Sequence, residues 1–143
     1  MWDFEHQYVT AAAAEDIWRL YADPSGWPSW DDGIEEVVLD GPFVAGAAGT
    51  LRPTGQPALP FRLVEVSPYA SFTDETELPG AILRFRHRLD RMPDGGTRIT
   101  HRVEFEGPAG DGIGSAMGPE LAAGIPASVT ALAAQALAAG TTR

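Results

Sequence analysis

The 143-residue sequence predicts an α+β fold in which a strongly curved antiparallel sheet wraps around a long C-terminal helix. Between residues 34 and 107, short segments of alternating polar and apolar residues are separated by turns rich in glycine and proline, as in an antiparallel meander. From Asp111 to Gly140, apolar residues instead recur at spacings of three and four. Because an alanine-rich helix with so few charges is not stable alone in water, it needs the sheet as a surface to cover.

The C-terminal segment carries one apolar stripe that should face the sheet. Gly118-Pro119 is expected to form its N-terminal turn, with the proline at the first helical position. Pro126 removes a backbone hydrogen bond and is expected to kink the helix. The stripe consists of Ile113, Met117, Leu121, Ile125, Val129 and Leu132.

The rest of the chain supplies the sheet and two short helices. Trp2 to Val9 alternates weakly and predicts the first strand, Ala13 to Ala22 predicts a helix, and Asp23 to Asp31 has room for one short turn of helix. With these elements, a sheet of about seven strands forms a single domain over residues 1–143. Six further strands are predicted at Ile34 to Leu39, Gly49 to Pro53, Leu59 to Val66, Ser71 to Leu78, Ala81 to Met92 and Gly96 to Gly107.

Composition excludes several classes of function. A net charge of −10 argues against nucleic acid and anionic membrane surfaces as partners. The absence of cysteine excludes disulfides, thiolate metal sites and a thiol nucleophile. We find no signal-peptide pattern at the N-terminus and no uninterrupted apolar window of about 18 residues, so a cytoplasmic location without membrane contact is expected.

Two histidines lie on the apolar face of the last two strands. In both strands arginines alternate with apolar residues, so the arginine face belongs in water and the histidine face in the core. A three-residue turn, Pro93-Asp94-Gly95, closes this hairpin and places His87 opposite His101, with Cβ atoms about 4.5–5.5 Å apart. Burial and mutual repulsion should keep at least one imidazole neutral at pH 7.

The preceding hairpin adds a carboxylate to the same face. A two-residue turn at Pro79-Gly80 places Phe72 opposite His87 and Asp74 opposite Phe85, so that Asp74 lies diagonal to His87. We interpret these polar residues in three ways: they satisfy one another within the fold, they contact a ligand, or they form a catalytic acid/base pair.

The tryptophans and arginines have simpler interpretations. Trp27 and Trp30 flank Pro28, and one of them is expected at the rim of a binding site and the other in the core. Trp18 is expected in the core. The arginines of the last two strands, with Glu75, Glu77 and Glu104, are expected to form a solvated ladder of cross-strand charges.

Two histidines and a carboxylate are also a ligand set for non-haem iron and for some zinc sites. No helix carries a His-x-x-x-His spacing, and no cysteine can complete a thiolate cluster, so neither a metal nor a cofactor is expected. The sequence contains no Ser/His/Asp motif on a strand–turn–helix and no phosphate-binding glycine loop.

Three segments resemble a known family. The W-P-S-W-D segment at 27–31, Phe72 to Thr76, and the hairpin residues Gly96 to Arg102 are similar to the polyketide cyclase/dehydrase branch of the START-like (SRPBCC) superfamily, over nearly the whole chain. The resemblance implies a helix-grip fold with a hydrophobic cavity between the sheet and the last helix. The segment containing the paired tryptophans would lie at the cavity mouth.

The resemblance implies that the protein binds a small hydrophobic molecule of polyketide-, lipid- or aromatic-like character in an elongated pocket. One alternative is a polyketide cyclase or dehydratase in which His87, His101 and Asp74 transfer protons. Another is a protein-interaction domain of the chaperone-activator kind, acting through the outer sheet face. Whether the protein is an enzyme or a homodimer stays open. The expected ligand-contacting residues are Trp27, Trp30, Phe72, Asp74, Thr76, Phe85, His87, His101, Val103, Met117, Leu121 and Ile125.

Overall fold

The computed structural model describes residues 1–141 and confirms the predicted α+β helix-grip fold. In this part of the chain, a short helix α1 (Ala14–Tyr21) and a 3₁₀ helix (Pro24–Ser29) connect the first two strands, and a long helix α2 (Gly110–Thr141) ends the domain. The strands are β1 (Trp2–Thr10), β2 (Ile34–Asp40), β3 (Ala48–Pro53), β4 (Leu59–Ser67), β5 (Ser71–Leu78), β6 (Ala81–Arg91) and β7 (Thr97–Glu106).

These strands form one seven-stranded sheet in the order β1-β7-β6-β5-β4-β3-β2 within the described residues, and every neighbouring pair is antiparallel. Register shifts between Ile34 and Glu36 in β2, and between Leu63 and Glu65 in β4, interrupt the ladder. Irregularities of this kind bend a strand and increase its twist, which helps the sheet to curve around α2.

Turn chemistry sets the register of the central hairpins. Gly95 adopts a φ of +89° in the turn between β6 and β7, a conformation that costs other residues energy because of their Cβ atom. Leu78 pairs with Ala81 across the turn between β5 and β6. The predicted register is confirmed, since His87 lies opposite Phe72 on one side and opposite His101 on the other.

The predicted start of α2 is wrong. The helix begins at Gly110, so Pro119 lies in its interior rather than at its first position. Pro119 is on the exposed side of the helix, where water can hydrogen-bond the Ser115 carbonyl that loses its helical partner. On the opposite side, Gly114 and Gly118 pack so closely on the indole of Trp2 in β1 that an added Cβ at either glycine would overlap it.

The predicted apolar stripe is fully buried only in the second half of α2, while Ile113 and Leu121 pack on the core with part of their surface exposed. Ile125, Val129 and Leu132 are 8%, 0% and 0% exposed, respectively. In the first half, glycines occupy the buried face and Met117 is 39% exposed. Close contact between helix and strand there depends on the absence of side chains, a feature that an apolar period does not register.

Helix α2 packs mainly on β1 and β7, at one side of the sheet. Within residues 1–141 it is the one helix long and apolar enough to cross a membrane by length and composition. However, its buried residues belong to the same hydrophobic core as the sheet. An apolar core helix of this kind is consistent with a soluble protein.

Candidate functional site

A row of imidazole and aromatic side chains crosses the inner face of the sheet. His6 pairs with His101, His101 with His87, and His87 with Phe72, so the row extends over β1, β7, β6 and β5. Side chains of directly opposed residues in antiparallel strands point to the same face, so His6 also faces inward. The row therefore contains all three histidines of the protein.

Tyr21, at the end of α1, completes this row from above, and the sequence did not reveal its role. Its hydroxyl lies 2.7 Å from Nε2 of His101 and its side chain is fully buried. Burial raises the pKa of Tyr21, so the phenol keeps its proton. Because no other acceptor contacts this hydroxyl among residues 1–141, it donates the hydrogen bond to the imidazole. Nε2 of His101 is then the acceptor, which assigns the proton of that neutral ring to Nδ1.

His87 is fixed in the complementary tautomer. Its Nδ1–H donates to the backbone carbonyl of Phe72 at 3.1 Å, so its Nε2 carries a lone pair. The His87 ring stacks on the Phe72 ring with centroids 3.8 Å apart and lies edge-to-face with His101 at 4.7 Å. Burial lowers the pKa of His87 to about 4, and burial together with His87 and His6 lowers the pKa of His101. Both rings are therefore neutral at pH 7.

Asp74 lies in the neighbouring row, between Leu63 of β4 and Phe85 of β6. It is 5% exposed, and no hydrogen bond or ion pair to it is present among residues 1–141. Burial, and secondarily the adjacent Glu75, raises the pKa of its carboxyl group to about 8. The diagonal placement relative to His87 agrees with the predicted register. The structure brings the two imidazoles into ring contact but leaves the carboxyl group without a bond to either.

Trp27 and Trp30 are both buried, at 3% and 5% exposure, so the expectation that one of them forms a rim is wrong for this structure. Trp27 donates its Nε1–H to the Tyr21 carbonyl at 3.0 Å and stacks on Phe72. These contacts hold it against the sheet. The Nε1–H of Trp30 is buried without a hydrogen-bond partner, and its ring centroid lies 6.3 Å from that of His101.

The predicted elongated pocket is also not present as such, because rings fill one end of the interior. Aromatic side chains from α1, the 3₁₀ helix and the β2–β3 loop meet those of the sheet there. We call this group the ring cluster, and its members are Trp18, Tyr21, Trp27, Trp30, Phe43, Phe72, His87 and His101. A concavity of about 410 Å³ lies outside it, between the 3₁₀ helix and β2, with Phe43 in its wall.

At the other end of the sheet, several inner-face apolar side chains are only half-buried. Apolar side chains there pack on the core yet keep part of their surface exposed, although Phe85 lies on the inner face of a central strand. Helix α2 covers mainly β1 and β7, so β3 to β6 receive less cover from it. We call these residues the open end, and they are Leu51, Leu78, Phe85 and Leu121.

The remaining predicted contact residues divide into two groups. Thr76, Val103 and Ile125 are buried, at 9%, 0% and 8% exposure. Met117 lies on the exposed side of α2, so its assignment as a ligand contact is wrong for this structure. Gly118, one position after it, and Gly114, three positions before it, are the residues of this part of α2 that face β1, as described above.

The outer sheet face carries the predicted charge ladder, although it is less solvated than expected. Arg84 pairs with Glu75, Glu104 and Glu106 at 2.7 to 3.0 Å, while the Arg84 and Glu104 side chains are only 13% and 6% exposed. Arg102 also pairs with Glu104. Because the arginines and glutamates of this network are paired with one another, we interpret these arginines as structural residues. Within residues 1–141, no three His, Asp or Glu side chains are grouped as a metal site would require.

Comparisons with known proteins agree with this architecture. A family model described as polyketide cyclase / dehydrase and lipid transport matches residues 1–139. Comparison with curated protein sequences gives no match.

Solved structures share the fold at low sequence identity. Protein NE0264 from Nitrosomonas europaea has a TM-score of 0.73 at 15% identity, with 98% of this chain and 97% of that chain covered. TTHA0849 from Thermus thermophilus has a TM-score of 0.73 at 14% identity, covering 96% and 98%. Truncated norcoclaurine synthase from Thalictrum flavum has a TM-score of 0.71 at 14% identity, covering 92% and 90%. Because the family model spans almost the whole chain, this protein belongs to the polyketide cyclase/dehydrase and lipid transport family.

Proposed function

We propose that this protein binds a small hydrophobic molecule of polyketide-, lipid- or aromatic-like character between the sheet and α2. The observation that carries the proposal is the open end, where inner-face apolar side chains keep exposed surface. Exposed apolar area on a concave face is a general property of ligand sites, because a ligand gains free energy by removing that area from water.

The polar groups of the interior support the same proposal. Among the described residues, His87 and His101 each have one ring nitrogen without a hydrogen bond. In the same part of the chain, the carboxyl group of Asp74 has no hydrogen bond to either oxygen. Polar groups in the interior of stable folds are normally paired, so groups that lack a protein partner beside an apolar wall are available to a ligand. A few convergent polar groups in a mainly apolar surrounding are typical of small-molecule sites.

Ligands of different length would affect the ring cluster differently. A small ligand at the open end would contact Phe85, Thr76 and Leu121 and leave the rings undisturbed. A longer one would displace Phe43, which packs on Phe72 from the β2–β3 loop with ring centroids 5.2 Å apart. The length of the ligand therefore decides how much of the interior it occupies.

The experiment that tests the proposal is a fluorescence titration with the neutral probe N-phenyl-1-naphthylamine. We expect saturable binding to the wild type and at least a tenfold loss in Leu121→Trp, which fills the open end. Met117→Trp is the matched control, because it adds the same ring one turn earlier on the exposed side of α2. Equal binding by both variants, or none by the wild type, contradicts the proposal. Native mass spectrometry of the purified protein would identify a ligand carried from the cell.

A second candidate function is proton-transfer catalysis, as in a cyclase or dehydratase. The observation that favours it is the pairing of a free acceptor, Nε2 of His87, with a free donor, Nδ1–H of His101, on rings 4.7 Å apart. A base there would remove an acidic C–H proton from a bound β-dicarbonyl. The test is deuterium exchange at the central carbon of 1-phenyl-1,3-butanedione, followed by NMR. We expect exchange by the wild type to exceed that by His87→Gln, and equal rates would exclude this function.

A further inference from the structure

We propose that the interior site selects uncharged molecules that present a hydrogen-bond acceptor, such as a ketone carbonyl, to the carboxyl group of Asp74. This inference rests on the proposed binding function and specifies its ligand class. The argument begins from the placement of Asp74 on the inner face of β5, at 5% exposure and without a protein partner in the described part of the chain.

The neighbours of Asp74 explain why its carboxyl group has no hydrogen bond to the described part of the protein. The cross-strand partners Leu63 and Phe85 are apolar. The next inward residues along β5 are Phe72 and Thr76, and Thr76 has no hydrogen bond to the carboxyl group. Asp74 is only 5% exposed and has no protein partner among the described residues, so its carboxyl group has lost most of its contact with water. This loss costs free energy, so the residue is a poor choice for structure alone. A ligand that bonds to it would recover this cost.

No cation faces Asp74 from the elements around it. Arg84 and Arg86 of β6 and Arg102 of β7 point to the outer face, where they pair with glutamates. Helix α2 contributes only Asp111 and Glu120 as charged residues in its described part, and both are exposed. The titratable groups that share the inner side with Asp74 are His6, Tyr8, Tyr21, His87 and His101. The adjacent carboxylate is Glu75, on the outer face of the same strand.

Under these conditions the carboxyl group is protonated at neutral pH, because burial and Glu75 raise its pKa to about 8. A protonated carboxyl is a strong hydrogen-bond donor. The Nδ1–H of His101 and the buried, unpartnered Nε1–H of Trp30 are further donors in the same interior. Nε2 of His87 is a free acceptor on the same face. The site thus offers three neutral donors, which suits a carbonyl compound.

Three probes of nearly equal shape separate the possibilities at pH 7: 2-acetylnaphthalene, 2-isopropylnaphthalene and protonated 1-(2-naphthyl)ethylamine. Affinities are measured by calorimetry on the wild type, Asp74→Asn and Asp74→Leu, with Glu77→Leu on the outer face of the same strand as control. We expect Asp74→Leu to weaken ketone binding about tenfold without weakening that of the hydrocarbon. Asp74→Asn should retain the ketone, because an amide is a neutral donor.

The outcomes also separate this inference from the proposed function. Ketone binding that is indifferent to both Asp74 variants overturns the inference and leaves the proposed function standing if the hydrocarbon binds. The inference is likewise overturned if the amine binds the wild type more tightly than the ketone and is lost in Asp74→Asn, since Asp74 is then an ionised cation site. If no probe binds the wild type, both proposals fail. A measurement without variants adds a check: ketone affinity should fall above about pH 8, while hydrocarbon affinity should not.

Discussion

Asp74 makes folding stability depend on pH in an unusual direction, and the substitution Asp74→Asn isolates its effect. The pKa of this carboxyl is raised from 3.8 to about 8 by burial and by Glu75. The folded protein therefore holds the proton more tightly than the unfolded chain does. The carboxyl group is least unfavourable to folding below pH 4, and it destabilises the fold progressively as the pH rises to about 8.

The size of this effect on the free energy of unfolding follows from the one extra proton that the folded protein holds between the two pKa values. Each pH unit between the two pKa values changes the free energy of unfolding by about 1.4 kcal/mol. Between pH 5 and pH 8, the wild type should therefore lose about 3–4 kcal/mol relative to Asp74→Asn. His87 and His101 act in the opposite direction, because their lowered pKa values add stability as the pH rises toward 6.5. Both proteins contain these histidines, so their contribution cancels in the difference.

The assay is urea unfolding followed by tryptophan fluorescence, at intervals from pH 5 to pH 9, for the wild type and Asp74→Asn. Asp40→Asn serves as the control, because Asp40 is an exposed carboxylate at the end of β2, and its curve should run parallel to that of the wild type. We expect the advantage of Asp74→Asn to grow with pH and to level off above about pH 8. A difference that stays constant within about 0.5 kcal/mol would show that Asp74 ionises in contact with water, and the ligand class inferred from it would be wrong.

Three further predictions concern single contacts. Gly118→Ala should destabilise the fold by about 1–3 kcal/mol, because the new Cβ overlaps the β1 indole, whereas Gly124→Ala, with open space at its Cβ, should stabilise it by about 0.5–1 kcal/mol. Equal unfolding midpoints for these two variants would disprove the close packing of α2. Tyr21→Phe leaves Nε2 of His101 buried without its donor and should cost about 1–3 kcal/mol. Thermal unfolding measures that loss, and no change would place the hydroxyl in water. In nitrogen-15 NMR spectra, His87 should titrate near pH 4 with its proton on Nδ1, and a midpoint near 6.5 would refute its burial.

The sheet and its register could be predicted because local rules determine them. Alternation assigns each side chain to a face, and the turns at Pro79-Gly80 and around Gly95 fix which residues are opposed. These rules were sufficient to place His87 between Phe72 and His101. A slip of one residue would have turned every apolar side chain outward, so few registers compete.

The features that escaped prediction depend on shape and on contacts between distant segments. An apolar period placed Met117 toward the sheet, but the space above β1 is filled by Trp2, and only glycine at 114 and 118 fits against its ring. Likewise, nothing in the sequence shows that Tyr21 reaches His101 from another layer of the fold. One of the paired tryptophans was expected at a rim, yet both pack inward because neighbouring rings offer more contact than solvent does.

The position of β1 beside β7 has a consequence for the synthesis of the protein. All other neighbouring strands of the described sheet are consecutive in sequence and can pair as soon as they are made, whereas the first strand waits for the last. Such long-range pairing slows folding. Until translation has passed Glu106, Trp2, Phe4 and Tyr8 have no strand or helix to cover them. We therefore expect the apolar face of the nascent β1 to stay exposed until β7 and α2 have left the ribosome.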